Sequence, residues 1–519
     1  MKPWLALALT CVVGACGNVA DNKTDGGGGG DGGGSGSGTF TLSVDPASLT
    51  LPIASSMTVA VSVARTGTVG DIALTSPNLP ANLTASFSPA SLPEGTDTAE
   101  LTITAVGGMG PGTGTVTVRA SGGGADHDAS VSVTTTTITV SGKLRGNTQN
   151  VTVGIIGKPV VQSGAGGVFT FTDVTPPYDL YTLGDSGPIG TPIPTVYYYD
   201  DLTVADPIVD VASQSFIIGT FCTIGQICSS NVSGSRLGAG NNTDSMLVAW
   251  SKGGTQLSTT GTWTNLTARG FTASASTGTL HALQMTRTAG QPTGYFYGTT
   301  NTTLNAATAT VNVSLAALGT TAAVTGTLTQ PAGFPAPTVT MTQQFQGASI
   351  DYPSFTSATI NSIVPALGAE FSTGFFATTT AGGATSSRSQ AINGAAADVT
   401  YTMLVPPQQT APVVGATGVT TTTPLTWTST ADTVHEVVIG NANVSFHVFT
   451  SKLTTTVPAV PERPLPGGQN LTWTVTDYAG ATDVNAFVRM TRPLPATTGI
   501  FEGTRAHAVS TSRTFTSAN

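Results

Sequence analysis

Three times along the chain a short signature returns at a constant interval: Val140-Ser-Gly-Lys-Leu144, Val232-Ser-Gly-Ser-Arg-Leu237 and Val324-Thr-Gly-Thr-Leu328. The valines stand 92 residues apart in both steps. A period of this size is that of a tandem array in which each unit buries one small core and too little chain remains for a second. Late in each unit comes an aromatic cluster, Tyr197-Tyr198-Tyr199, Tyr295-Phe296-Tyr297 and Phe375-Phe376, before the chain returns to short apolar runs. The runs themselves are β-like. Only 9% of residues are charged, while Thr and Val are stiff at χ1 and suit pleated sheet, and 63 Gly and 31 Pro punctuate runs of four to eight residues. A chain this long exceeds one core and divides into several sandwich-sized domains.

The N-terminus carries a different signal. Lys2 supplies a positive head and Trp4 to Val13 form an almost wholly apolar run. A membrane-spanning helix needs about 20 apolar residues, so this run is too short and is expected to be a cleaved signal segment. It ends in Val13-Gly14-Ala15-Cys16, which resembles the bacterial lipobox. The resemblance implies cleavage before Cys16 and a diacylglyceryl and N-acyl lipid on that residue, with small side chains at 14 and 15 admitting the backbone to a peptidase groove. By the same resemblance, Gly17 rather than Asp after the cysteine implies the outer membrane, on its periplasmic face or at the cell surface. Residues 16–38 then form a tether dominated by Gly, which behaves as a flexible coil with a reach of roughly 25 Å. The membrane, through this lipid, is the first expected partner.

Two cysteines follow in the body, Cys222 and Cys228, with five residues between them centred on Gly225. An exported protein meets an oxidising compartment, so a hairpin disulfide contributing about 2 kcal/mol is expected. Metal binding is the rival reading, and no further Cys or well-spaced His completes a tetrahedral set.

The segment Asn78-Leu-Pro-Ala-Asn-Leu-Thr-Ala-Ser-Phe-Ser-Pro-Ala-Ser-Leu92 resembles bacterial secreted Ig-like modules, with Asn82 where Gly is usual; Asn tolerates positive φ, so the turn can survive. In the first repeat, Gly166-Gly-Val-Phe-Thr-Phe171 followed by Pro176-Pro-Tyr-Asp-Leu180 resembles carboxypeptidase-regulatory-like, transthyretin-like modules, which are not themselves peptidases. The later repeats share the opening signature and the period without that hairpin. Pro424-Leu-Thr-Trp-Thr428 and Leu471-Thr-Trp-Thr-Val475 resemble a fibronectin type III sandwich, with Trp427 and Trp473 facing each other in the core. The expected fold class is all-β: tandem antiparallel β-sandwich domains after a signal peptide (1–15) and a Gly-rich tether (16–38). The domains are an Ig-like sandwich (39–136), a transthyretin-like sandwich (137–216), two further repeats (217–322 and 323–405) and a fibronectin type III-like sandwich (406–519).

Catalytic chemistry is not visible. His435-Glu436 opens like a zinc-protease helix motif, but Ile439 stands where the second ligand belongs, so a strand is expected. His435 and His447 could sit on neighbouring strands and share a metal, yet no third ligand is evident; Asp126-His127-Asp128 reads as a solvated loop. No Gly-x-Ser-x-Gly elbow and no phosphate-binding loop occurs. The expectation is therefore no enzyme, no metal and no cofactor. A net charge of −9 without a basic stripe excludes a nucleic-acid partner. Two features could bind. Asp173, Asp179, Asp185, Asp200, Asp201 and Asp206 could hold Ca²⁺, against solvated turns as the simpler reading. Tyr197, Tyr198 and Tyr199 could face a sugar ligand, against core packing. The sequence points to a lipid-anchored, non-enzymatic stalk and adhesion module for envelope polysaccharide or protein. The alternatives are a purely structural spacer and a hydrolase accessory subunit.

Overall fold

A computed structural model describes residues 38–147, 149–186, 191–211, 229–240, 244–269, 275–345, 348–351, 354–367, 371–392, 394–430, 433–490 and 504–519. Cys16, the tether, Cys222 and Cys228 lie outside them. The described chain is built almost wholly of strands, with one short helix, Val484–Phe487, started by the Asp483 carboxylate accepting from the Ala486 amide.

The N-terminal unit is a sandwich of two sheets. One runs in the order Thr39–Asp45, Ser56–Thr66, Thr98–Ala105, Leu83–Ser88; the other runs Ser48–Pro52, Ala125–Thr136, Gly112–Gly122, Ile72–Thr75, Ser91–Leu92. Alternate residues point inward, so Val59, Val61, Val63, Leu101, Ile103, Val116, Val118, Val131 and Val133 make one closed core. Asn82 keeps a negative φ, so the turn it occupies does not need the Gly of the resembling motif. Asp126, His127 and Asp128 are in a strand rather than a loop: Asp128 pairs with Arg119 at 2.8 Å and His127 packs edge-on against Phe40. The period-2 alternation begins there with polar residues, which is why the segment read as a loop.

The three repeats share one strand order. In each, a first strand (Ile138–Leu144, Ser230–Gly238, Thr321–Thr329) pairs antiparallel with a fourth (Val168–Val174, Thr262–Ala268, Thr359–Pro365). It pairs parallel with a last (Ile208–Val209, Thr308–Thr310, Ala397–Asp398). The second sheet runs third, second, fifth, sixth. In the first repeat these are Val161–Gln162, Thr152–Ile155, Tyr178–Ser186 and Ile193–Leu202. In the second they are Thr255–Ser258, Met246–Trp250, Ser276–Thr288 and Gln291–Leu304. In the third they are Ala348–Asp351, Thr338–Phe345, Phe371–Ala381 and Ala384–Ile392.

The repeated signature sits in the first strand. Val140, Val232 and Val324 are fully buried. The glycine after each lies opposite Phe169, Trp263 and Ile360 of the fourth strand, and at Gly142 a Cβ would fall 2.1 Å from the Phe169 ring. Leu144 and Leu328 share the valine's face and are buried, whereas the extra residue before Leu237 turns it to the other face, where it is 47% exposed. The aromatic clusters are not equivalent: Tyr197–Tyr199 and Tyr295–Tyr297 lie in sixth strands, Phe375–Phe376 in a fifth. Similar composition without similar register misled the alignment there.

The C-terminal sandwich is not a separate bead. One of its sheets, Gln408–Ala411, Leu425–Thr428 and Thr454–Thr455, stands alone. The other, in the order Ser445–Thr450, Val434–Gly440, Asn470–Tyr478, Thr504–Val509, is hydrogen-bonded at both edges to other repeats. Thr195–Tyr199 of the first repeat joins Ser445–Phe449 in parallel register, and Thr385–Gln390 of the third joins Thr504–Val509 antiparallel. The result is one continuous sheet in which the last sandwich lies between the second sheets of two repeats. Both sixth strands, which would otherwise be exposed edges, are paired. The two faces of the joined sheet serve different cores. Tyr199, Phe449, Tyr478 and Phe487 belong to the core of the first repeat, while Tyr181 and Val196 join Trp427, Val437, Phe446 and Trp473 in the core of the last sandwich.

Candidate functional site

The three tyrosines of the first repeat sit at this junction. Alternation sends Tyr197 and Tyr199 to one face and Tyr198 to the other. Tyr199 is fully buried, and its hydroxyl accepts from the Asp210 amide at 2.8 Å. Tyr198 donates to Asp179 at 2.7 Å. Tyr197 stacks on His447 with centroids 4.5 Å apart. None of the three is an exposed platform for a sugar ring; the joined sheet covers what an isolated repeat would display.

The acidic residues do not converge as a group of six. Asp179, Asp200 and Asp201 bring carboxylate oxygens within 4.8 Å of one another. Lys452 of the last sandwich already supplies a cation there, at 3.1 Å from Asp200 and 2.5 Å from Asp201. Burial, with Asp201 alongside, pushes the Asp200 carboxyl above its usual range while Lys452 pulls the other way. Asp185 instead pairs with Arg463, and Asp206 with Arg489. These pairs cross between the first repeat and the last sandwich, and so does Tyr181 donating to Glu462 at 2.8 Å.

His435 and His447 lie on adjacent strands but on opposite faces, His435 opposite Thr450 and His447 opposite Val438. They cannot share a metal, because the pleat sets their rings on the two sides of the sheet. Each has its own carboxylate. His435 Nδ1 is 2.6 Å from Asp477 Oδ1, in the core of the last sandwich beside Trp427, and Ser429 donates to the other Asp477 oxygen at 2.5 Å. Both His435 and Asp477 are buried, so this pair faces protein.

The second pair is the more open. His447 Nδ1 is 2.7 Å from Glu436 Oε1, and Tyr478 donates its hydroxyl proton to Glu436 Oε2 at 2.5 Å. Burial raises the Glu436 carboxyl, but the His447 and Tyr478 hydrogen bonds outweigh it and hold the group below its ordinary value. Its carboxylate is therefore ionised and accepts from His447 Nδ1, which leaves Nε2 as the ring nitrogen facing Ser445. That nitrogen is 3.1 Å from Ser445 Oγ. Glu436 is buried, the His447 side chain is 20% exposed and Ser445 is half-buried. His507 lies nearby, its proton affinity lowered by burial and raised by Glu436, with the first effect larger.

The sequence hid this arrangement. Its three members come from two strands of a sheet whose pairing depends on the hairpin at 441–444, and no spacing rule marks Glu436, Ser445 and His447 as neighbours. The usable signal was the alternation in Ser445-Phe-His-Val-Phe449, which puts Ser445 and His447 on one face once the segment is read as a strand.

No protein-family profile matches the chain, and no curated protein matches it. Among solved structures, the Bacillus anthracis TIE protein aligns at 9% identity over 70% of this chain and 74% of its own, with a TM-score of 0.23. Domains 4–9 of the surface-layer protein SbsC align at 12% identity over 84% of this chain and 63% of theirs, TM-score 0.15. The D1–D4 ectodomain fragment of ICAM-5 aligns at 10% identity over 84% and 95%, TM-score 0.14. Scores this far below 0.5 do not establish a shared arrangement, and the fold rests on the strand orders above. By those orders the chain is an all-β protein of several sandwiches, the first of them immunoglobulin-like in topology.

Proposed function

We propose that this is a lipid-anchored cell-envelope protein, a structural and binding module held to the membrane through Cys16 and a flexible tether. The observation that carries the reading is the hydrogen-bonded insertion of the last sandwich between the first and third repeats. Such bracing suits a part that must hold its shape outside the cell, where chaperones are scarce. Transthyretin-like character for the repeats rests on their common strand order, and fibronectin type III-like character for residues 406–519 rests on Trp427 and Trp473 in one core. The partner class is an envelope polysaccharide or protein, and the main role requires no turnover chemistry.

Two measurements test this. Radiolabelled palmitate should enter the wild-type chain, and Cys16→Ser should leave the protein unlabelled and released from membranes. The solubilised full chain should retain a component of an envelope extract on a pull-down column. Membrane retention of Cys16→Ser would remove the anchor, and an empty column would favour the spacer role over adhesion.

A further inference from the structure

We propose that Ser445 is an activated nucleophile that accepts an acyl group from esters, with His447 as its base and Glu436 as the orienting carboxylate. Serine nucleophiles are recognised by connectivity rather than by sequence order: hydroxyl to Nε2, Nδ1 to a buried carboxylate. Here those links measure 3.1 and 2.7 Å. Two further contacts hold the constellation. Tyr478 fixes the second oxygen of Glu436, and Tyr197 lies flat on one face of the imidazole at 4.5 Å, which limits ring rotation while leaving the Nε2 edge toward Ser445.

Access follows from sequence. On the antiparallel side the residue opposite Ser445 is Gly440, which has no side chain to cover the hydroxyl, and on the parallel side the neighbour in register is the small, buried Thr195. Glu436 is sealed in the protein, whereas His447 and Ser445 are both half-buried and reach toward solvent from it.

The chemistry balances without a cofactor. Ser445 Oγ attacks the ester carbonyl carbon and His447 Nε2 takes the hydroxyl proton. The carbon–alkoxy bond breaks, and His447 returns that proton to the leaving oxygen, leaving the acyl group on Ser445. Water repeats the exchange: His447 takes its proton, the hydroxyl oxygen displaces Ser445, and the proton returns to Oγ. The strand Ser445–Thr450 is laddered on both edges, which leaves its amides little freedom to form an oxyanion hole. Activated esters of small acyl groups are therefore the substrate class, with slow turnover.

The test uses the full chain with a biotinylated fluorophosphonate and with p-nitrophenyl acetate, and maps the label by peptide mass spectrometry. The expected result is label on Ser445 at a rate that rises with pH, and no label in Ser445→Ala with an unchanged melting curve. His447→Gln should label at least about 100-fold more slowly. Because His447→Gln could disturb the junction, Ser445→Cys gives a second reading. Its introduced thiol should react with iodoacetamide faster than a thiol in unfolded chain near neutral pH, and Glu436→Gln in that background should remove the advantage. Label elsewhere than Ser445, or equal labelling of wild type and His447→Gln together with an unactivated thiol, overturns the proposal and leaves the structural reading of the protein standing.

Discussion

The phenol ring of Tyr197, in the first repeat, lies on the imidazole of His447, in the last sandwich, with planes 15° apart. The same tyrosine is in parallel register with that histidine across the strand pair, so one residue contributes to the ladder, the core and the polar cluster. Replacing it by Ala removes an aromatic contact and a half-buried ring, at a cost of about 2 kcal/mol or more. The loss should appear first as faster proteolysis around residues 441–453. A melting curve and cleavage pattern like those of wild type would show that the junction does not depend on the stack.

Deleting residues 406–519 would strip both flanking sixth strands of their partners across the junction and bare Tyr181 and Val196, which belong to the core of the last sandwich. Unpaired edges with apolar side chains template association. The truncated chain is expected to form oligomers in light scattering at concentrations where the full chain is monodisperse. A monomeric truncation would mean that the repeats fold as independent beads.

Gly142 and Gly234 are expected to resist any side chain. A Cβ at Gly234 would lie 1.9 Å from the Val311 carbonyl oxygen and 2.5 Å from the Trp263 ring, against 2.1 Å from Phe169 at Gly142. Ala at either position should cost roughly 1–3 kcal/mol by overpacking, read from urea midpoints. Gly319 has open space around it, and its Ala variant should be close to neutral. Equal effects at all three sites would remove the steric account of the repeated signature.

The sequence made the β character, the 92-residue period and the inward alternation of the N-terminal sandwich readable, because each is local or periodic. The opening Val and Gly of each repeat were visible for the same reason. Pairing between distant segments was not. Nothing in Thr195–Tyr199 announces that it lies beside Ser445–Phe449, since a parallel ladder between strands this far apart leaves no spacing to read. The setting of the tyrosines depends on that pairing only in part: Tyr197 and Tyr199 face the core of the first repeat, and Tyr198 is covered by the last sandwich. His435 and His447 were readable as neighbours on adjacent strands, whereas their chemistry depends on which face each takes.

His281 gives the protein a sensitivity to mild acid. It is 9% exposed, its Nδ1 is 2.8 Å from the Tyr297 hydroxyl oxygen, and burial lowers its proton affinity to a pKa of about 4. A histidine kept neutral in the fold and free to protonate when unfolded stabilises fully above its unfolded value near 6.5, and that stability is lost as pH falls toward 4. The change should reach roughly 2 kcal/mol by pH 4 and be absent in His281→Gln. Parallel pH–stability curves for the two proteins would assign the acid response to other groups.

The parallel ladder between the first repeat and the last sandwich also sets how the body would carry load. A pull between the N-terminal sandwich and the C-terminal one runs straight through Thr195–Tyr199 and Ser445–Phe449, loading the ladder along its length. The second and third repeats lie off that line, as slack held in a closed loop. Were the ladder to part, the two cores that span it would open with it, and the second and third repeats would enter the path and lengthen the molecule, much as a stitched fold in a strap opens under strain.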